Sequence, residues 1–377
     1  MVRAVSLDFQ RSFVRSRGRD SKPLRAGRRG PALFAAAVLG IGALSPLAHA
    51  TLPAYTLVGQ YAAPSGVWNI GPDGRLWSIN SAGVISRQDS LNAAGYSAVG
   101  SVPAGTVASF GASFISVSNT GTLAIGDNNF GANARVHFVS SGDLSTGAAT
   151  PTRSLLLGNY AGVWSGSDLL VAGAPGPGGA PAVWRVTNTA TTSPTSSVLI
   201  TGVGAGSGGV ALRGDTLVTG VGFSTAGSPV TGEVRSFSLS SLINSGPATF
   251  LSGSVVGTVL SASSMAFDPL GNLAIAGTDF SNFPSVSGFV RVIDGDNFGT
   301  GVTLAPAGTD RSYSVRFNAV TNEYLVSASG TIYRYAIPTP GTAAALGLAG
   351  VMVAARRRSG VRTRAWQATS ESREVRA

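Results

Sequence analysis

The chain has 377 residues, 27 Lys and Arg against 17 Asp and Glu, and no cysteine, which excludes a disulfide framework and any thiolate metal site. A net charge of +10 would suit nucleic acid or an anionic membrane surface. However, 9 basic residues precede residue 31 and 7 follow residue 355, leaving 27 − 9 − 7 = 11 for residues 51–355, against 13 acids, a balance of −2. The basic character belongs to the two ends, and nucleic-acid binding loses its main support.

Residues 1–50 read as a secretory signal peptide with a long basic n-region. The apolar run Pro31–Leu47 supplies the signal helix, and Ala48-His49-Ala50 is a small-residue site at which signal peptidase cleaves, with Ala48 and Ala50 as the recognised positions. Arg28-Arg29 is followed by Gly30-Pro31, a poor fit to a twin-arginine signal, so the general export pathway is favoured.

Residues 51–336 are rich in Val, Leu, Ser, Thr, Gly and Phe and contain no Lys, since Lys22 is the only one in the chain. Such residues suit half-buried strands and tight turns, and no 3.6-residue periodicity interrupts them, so this region is expected to be all-β. A unit recurs six times, with second strands at Arg75–Ile79, Thr122–Gly126, Asp168–Ala172, Thr216–Gly220, Asn272–Ala276 and Glu323–Ser327. Their anchoring leucines 76, 123, 169, 217, 273 and 325 are 47, 46, 48, 56 and 52 residues apart. Periods of roughly 40 to 50 with several strands per unit indicate propeller blades.

Turns between first and second strands carry Gly, Pro, Asn and Asp, as in Gly71-Pro72-Asp73-Gly74 and Asp268-Pro269-Leu270-Gly271. The segment Tyr55–Val58 has no blade of its own and is expected to complete the last blade and close the ring. The expected fold is one β-propeller of six blades, with seven as the alternative given the 56-residue spacing. It is flanked by the N-terminal signal helix and a short C-terminal apolar helix.

These repeats resemble FG-GAP propeller repeats of the kind found in integrin alpha-subunit heads. The residues that carry the likeness are Phe110-Gly111-Ala112-Ser113, Gly173-Ala174-Pro175 and Gly214-Asp215-Thr216-Leu217-Val218, and it is clearest over residues 110–240. The resemblance implies a surface-associated binding propeller. Family members often carry an Asp-rich calcium loop between the first two strands, and these turns lack it. The nearest substitute is Asp294-Gly295-Asp296-Asn297-Phe298-Gly299, where Asp294 and Asp296 are candidate calcium ligands, yet Phe298 takes the third ligand position and an Asp/Gly turn is favoured. No other cofactor is expected.

Catalytic constellations are scarce. His137 is the only histidine after residue 50, no Gly-x-Ser-x-Gly elbow occurs, and no lysine is available for phosphate or Schiff-base chemistry. A lone strand histidine reads as a rim residue. Gly204-x-Gly206-x-x-Gly209 leads into a strand rather than a helix and is set aside as a dinucleotide site. Arg213-Gly214-Asp215, an adhesion tripeptide by letter, is better explained as a hairpin turn. An Arg recurs in each third strand (Arg87, Arg135, Arg185, Arg235, Arg291 and Arg334), and a solvated strand face is its default reading.

The remaining hint is geometric. Loops joining second to third strands share one face of a propeller, and four of them (127–134, 174–181, 221–231 and 278–287) are long. They make a candidate binding rim of Asp127, Asn128, Asn129, Phe130, Phe223, Asp279, Phe280 and Phe283, a mixture suited to sugar or protein contact.

Residues 337–358 combine Pro338-Thr339-Pro340, an apolar run over residues 341–355, and Arg356-Arg357-Arg358. Fifteen apolar residues fall short of the roughly 20 needed for a stable span. This segment resembles the PEP-CTERM sorting signal, which implies transient membrane insertion, processing by an exosortase-like membrane transpeptidase, and location at the surface or in the matrix of a Gram-negative bacterium. It departs from that pattern at Thr339, where Glu is usual, and in the basic tail 359–377 that follows it. The expected function is a non-catalytic propeller binding extracellular polysaccharide or protein. The alternatives are a polysaccharide lyase or glycosidase and a purely structural envelope component.

Overall fold

The computed structural model describes residues 54–129, 133–144, 153–174, 180–204, 207–222, 232–259, 261–279, 287–294, 301–304 and 314–337, together with Leu52 and Pro151. The signal peptide, the sorting segment, the tail and both terminal helices expected from the sequence lie outside these residues.

The described chain forms six sheets, antiparallel except for one short strand added in parallel to the third. In chain order the first strands are Val67–Ile70, Phe114–Val117, Ala161–Ser165, Ser207–Arg213, Ser264–Phe267 and Ser314–Asn318. Each contacts the first strand of the next blade, and Ser314–Asn318 contacts Val67–Ile70, so the six strands form a closed inner ring. The alternative of seven blades is thereby excluded. Second strands begin within a residue of the expected positions, at Leu76, Thr122, Asp168, Thr216, Leu273 and Glu323.

All six anchoring leucines are wholly buried. The buried core is divided into six hydrophobic clusters, five of which contain these leucines, and each cluster fills the wedge between two neighbouring blades. A blade is apolar on both faces because both faces meet another blade. This is why its strands read as nearly continuous apolar runs.

The ring closes where the spare N-terminal strand was expected to close it. Thr56–Ala62 pairs antiparallel with Thr331–Ala336 from Thr56↔Ala336 to Ala62↔Thr331, with a bulge between Leu57 and Gly59. The last blade therefore takes three strands from the C-terminal end of the described chain and one from the N-terminal end. Polar contacts reinforce the closure. Tyr55 donates its hydroxyl to Asp268 at 3.0 Å, while Asn318 at the first turn of the sixth blade donates to the Gly74 carbonyl of the first at 2.8 Å. Burial and the Asp268 carboxylate push the Tyr55 phenol far above its ordinary value.

The 56-residue spacing has a physical source. Between the third and fourth strands of the fourth blade the chain inserts a helix, Leu239–Ser245, then the short strand Ala248–Thr249, which adds in parallel to the outer strand of the third blade. Ser238 caps the helix by accepting from the Ser241 amide, and Leu239 and Leu242 bury one face beside Phe250. An all-β reading without helical periodicity missed it because two turns carrying two buried leucines leave too short a pattern.

Glycine is required where the second strand of a blade passes under the linker entering that blade. A Cβ on Gly173 would sit 1.8 Å from the Gly158 carbonyl oxygen, and one on Gly277 would sit 2.1 Å from that of Ser261. Backbone approaches backbone there, so no rotamer change can make room.

Closure by Tyr55 is testable by urea unfolding. Tyr55→Phe keeps the ring and loses the hydroxyl bond to Asp268, for an expected loss of about 1–2 kcal/mol. An unchanged midpoint would mean that strand pairing alone closes the ring.

Candidate functional site: the central channel

The six first strands enclose a cavity of about 410 Å³ along the ring axis. Its lining includes Asn69–Pro72, Val117 and Asn119, Ala161–Val163, Gly209–Leu212, Ser263–Phe267 and Arg316–Val320, so every blade contributes. The presence of Gly71, Pro72, Asn119, Ala319 and Val320 shows that it reaches the face bearing the first-to-second strand turns. That face is opposite the one presenting the long loops of the candidate rim. Apolar side chains (Met265, Phe267, Phe317) alternate with Asn69, Asn119 and Ser263, and small residues leave strand backbone open to the cavity.

Arg316 is the only charged residue among the described residues that line the channel. Its Nη1 donates to the Ser264 hydroxyl of the fifth blade and to its own blade's Val315 carbonyl at 2.8 Å, while its Cζ lies 5.8 Å from the Trp68 ring centroid in the first blade. A side chain in contact with the inner strands of both neighbouring blades has to lie across the channel edge. Protein packs round the guanidinium and its desolvation pushes its pKa down to about 10, although part of the residue's surface still opens to the cavity. Among the described residues no carboxylate forms an ion pair with it.

Of the candidate rim, Phe130, Phe223, Phe280 and Phe283 lie outside the described residues, as do Asp296, the cleavage residues Ala48 and Ala50, and the sorting residues Pro338, Thr339, Pro340, Arg356, Arg357 and Arg358. Asp127 is buried, and its two oxygens accept from the amides of Asn129 (3.0 Å) and Arg135 (2.9 Å) and from the side chains of Asn129 (2.8 Å) and Asn159 (3.1 Å). Asn159 also donates to the carbonyls of Arg135 and Leu157 and accepts from Ser113. Together these residues tie the second blade to the linker entering the third, and Asn128 supports the turn at a φ of 59°. Asp279, expected in a loop, instead ends the second strand of the fifth blade and pairs with Ser287. Asp294 follows the third strand of that blade. Among the described residues no group of three His, Asp or Glu side chains is arranged to hold a metal ion.

The third-strand arginines are mostly held rather than solvated. Arg87 pairs with Asp73 and lies 5.4 Å from the Trp77 ring centroid. Arg185 meets Asp168 at 2.6 Å, Arg235 meets Glu233 at 2.7 Å, and Arg334 grips the buried Glu323 with two bonds of 2.7 and 3.0 Å. Arg135 reaches the Ser154 hydroxyl at 3.3 Å, and Arg291 lines a groove between the fourth and fifth blades. Four of the six are thus paired with an acid of their own blade, which corrects the solvated-face expectation for those four. The Arg213-Gly214-Asp215 turn likewise has internal work: Asp215 accepts from the Ser240 amide at 2.7 Å and the Ser238 hydroxyl at 2.6 Å at the start of the inserted helix. Those bonds hold its carboxyl below the ordinary range.

His137 sits on the third strand of the second blade. Burial holds its pKa below the ordinary value, outweighing the raising effects of the Asp127 carboxylate and the Thr106 backbone, with Arg135 adding to the lowering. Asp127 is committed to its four donors, so it does not serve His137 as a hydrogen-bonded partner.

Sequence reasoning concentrated on loops and passed over the inner strands. The residues lining the channel are short stretches separated by about fifty positions, and Arg316 falls in a first strand, outside the third-strand arginine pattern. That irregularity was the available signal.

No family model matches this chain, and no curated protein matches it. Solved structures match it at low sequence identity. A gluconolactonase from Xanthomonas campestris shares 12% identity over 73% of this chain and 88% of its own, with a TM-score of 0.47. The Pan2 WD40 domain of Neurospora crassa shares 13% over 76% and 96%, with a TM-score of 0.43. The WD40 propeller domain of Doa1 shares 12% over 76% and 98%, also at 0.43.

The lowered His137 pKa carries a pH signature. The unfolded chain takes up this proton near pH 6.5, whereas the folded protein takes it up only at lower pH. As pH falls below 6.5 the unfolded state therefore binds more protons and the fold loses stability. NMR titration should place His137 below 6.5, and His137→Gln should flatten the stability profile just below that pH. A His137 titration at or above 6.5 would contradict the burial argument.

Proposed function

We propose that this chain is an exported, non-catalytic β-propeller that binds extracellular polysaccharide or protein at the surface or in the matrix of a Gram-negative cell. The observation that carries the binding half is the central channel. At about 410 Å³ it falls within the size range of small-ligand sites, and its mixture of aromatic, amide and hydroxyl groups with open strand backbone suits a hydroxylated ligand. The export half is supported by the sequence, in which a basic and apolar leader precedes Ala48-His49-Ala50 and a PEP-CTERM-like segment ends in Arg356-Arg357-Arg358. The repeat pattern's likeness to FG-GAP propellers agrees with a binding role.

Expression of the full chain with its own leader tests both halves. Mass spectrometry of the exported protein should find Thr51 as its first residue, and a chain ending at Ala336 should pass into the medium rather than stay with the cell envelope. The full protein should then retain extracellular glycans or proteins on an array. Equal retention of full and shortened chains would remove the sorting role, silence on the array would remove the binding role, and release of cleaved glycan would favour a lyase or glycosidase.

A further inference from the structure

An arginine buried without an acid is costly, because the charge loses water and gains no opposite charge in return. The other arginines described in ion pairs avoid that cost, as with Arg334 on Glu323 and Arg185 on Asp168. Arg316 does not. Its Nη1 protons are taken by Ser264 and Val315, which fixes the plane of the guanidinium. The Nε and Nη2 edge has no protein acceptor among the described residues, yet it is not sealed off, since neither atom is among the fully enclosed polar atoms that lack a partner. Nε–H and one Nη2–H lie side by side on one rigid edge of this channel-lining residue, in the fork geometry that receives a carboxylate with two parallel bonds.

The surroundings narrow the ligand. A single positive charge balances one negative charge, which favours a carboxylate over a doubly charged phosphate. Trp68 supports the guanidinium from one side, while Phe267, Phe317 and Met265 offer apolar faces and Asn69, Asn119 and Ser263 offer hydrogen-bonding groups. Sugar rings present that pairing of an apolar face with a polar edge.

We propose that the central channel is a binding site for acidic sugars, in which the Nε and Nη2 edge of Arg316 grips the carboxylate of a uronic acid residue. This rests on the binding-propeller reading above and specifies its ligand class. Ser264 and Val315 are the positioning residues that hold the fork open toward the channel.

Calorimetric titration of the exported protein with sodium glucuronate, glucose and inorganic phosphate tests it. Glucuronate should bind, with affinity falling as salt is raised, and glucose should bind about tenfold more weakly or worse. Arg316→Met should lose about tenfold or more of the glucuronate affinity, and Arg316→Lys should show an intermediate loss because it keeps the charge without the fork. Thermal melts of both variants check folding. Should neither fold, the Arg316 Nε–H resonance of the ¹⁵N-arginine-labelled wild-type protein should shift on adding glucuronate.

Equal binding of glucose and glucuronate, glucuronate binding indifferent to Arg316→Met, phosphate binding tighter than glucuronate, or an unmoved Arg316 resonance would each overturn the proposal. Neutral glycans retained on the array with no response to glucuronate would sink the acidic-sugar site while leaving the binding-propeller reading in place. Silence in both experiments would remove both.

Discussion

A propeller remains a ring only if its last sheet finds a strand from the other end of the chain. Here that strand is Thr56–Ala62, which completes the sixth blade against Thr331–Ala336. Without it Thr331–Ala336 would present a free edge, open to pairing with another chain. The same pairing brings Tyr55 onto Asp268 and, through the ring it closes, Asn318 onto Gly74. The wedge between the last and first blades, with Tyr61, Trp68, Leu76, Leu325 and Ile332, has its two walls only because the ring is closed.

Closure also dictates how polarity is spent. Every blade face is buried against another blade, so charges within the sheets need partners, and four of the six third-strand arginines find them in Asp73, Asp168, Glu233 and Glu323. Linkers between blades have to cross second strands closely, which requires glycine at Gly173 and Gly277 and a packed polar network at Asp127 and Asn159. Against that background a channel holding one unpaired guanidinium stands out. The same construction that pairs four third-strand arginines with acids leaves Arg316 lining the channel with only Ser264, Val315 and Trp68 to hold it.

Much of the fold was legible beforehand. The six anchoring leucines, the turns and the closing strand were readable because each depends on a few adjacent residues: a buried apolar position, a Gly or Asp that permits a hairpin, an apolar segment with no sheet of its own. The helix Leu239–Ser245 was not readable, since its stability comes from Phe250 and from Asp215 across the blade rather than from its own pattern. Asp127 looked like a rim ligand because an Asp in a long polar loop is usually exposed. Its burial follows from Asn159, thirty-two positions away.

The sequence by itself determined the repeat, the strand order within each blade, the absence of cysteine chemistry and the division of charge between the ends and the middle, because all of these reside in local pattern and composition. Tertiary structure alone decided the number of blades, the roles of the arginines and the place of the candidate site. The channel is assembled from six strands spread over some 250 residues, and whether a side chain such as Arg316 meets a carboxylate or faces a cavity depends on which blades the closed ring sets beside it.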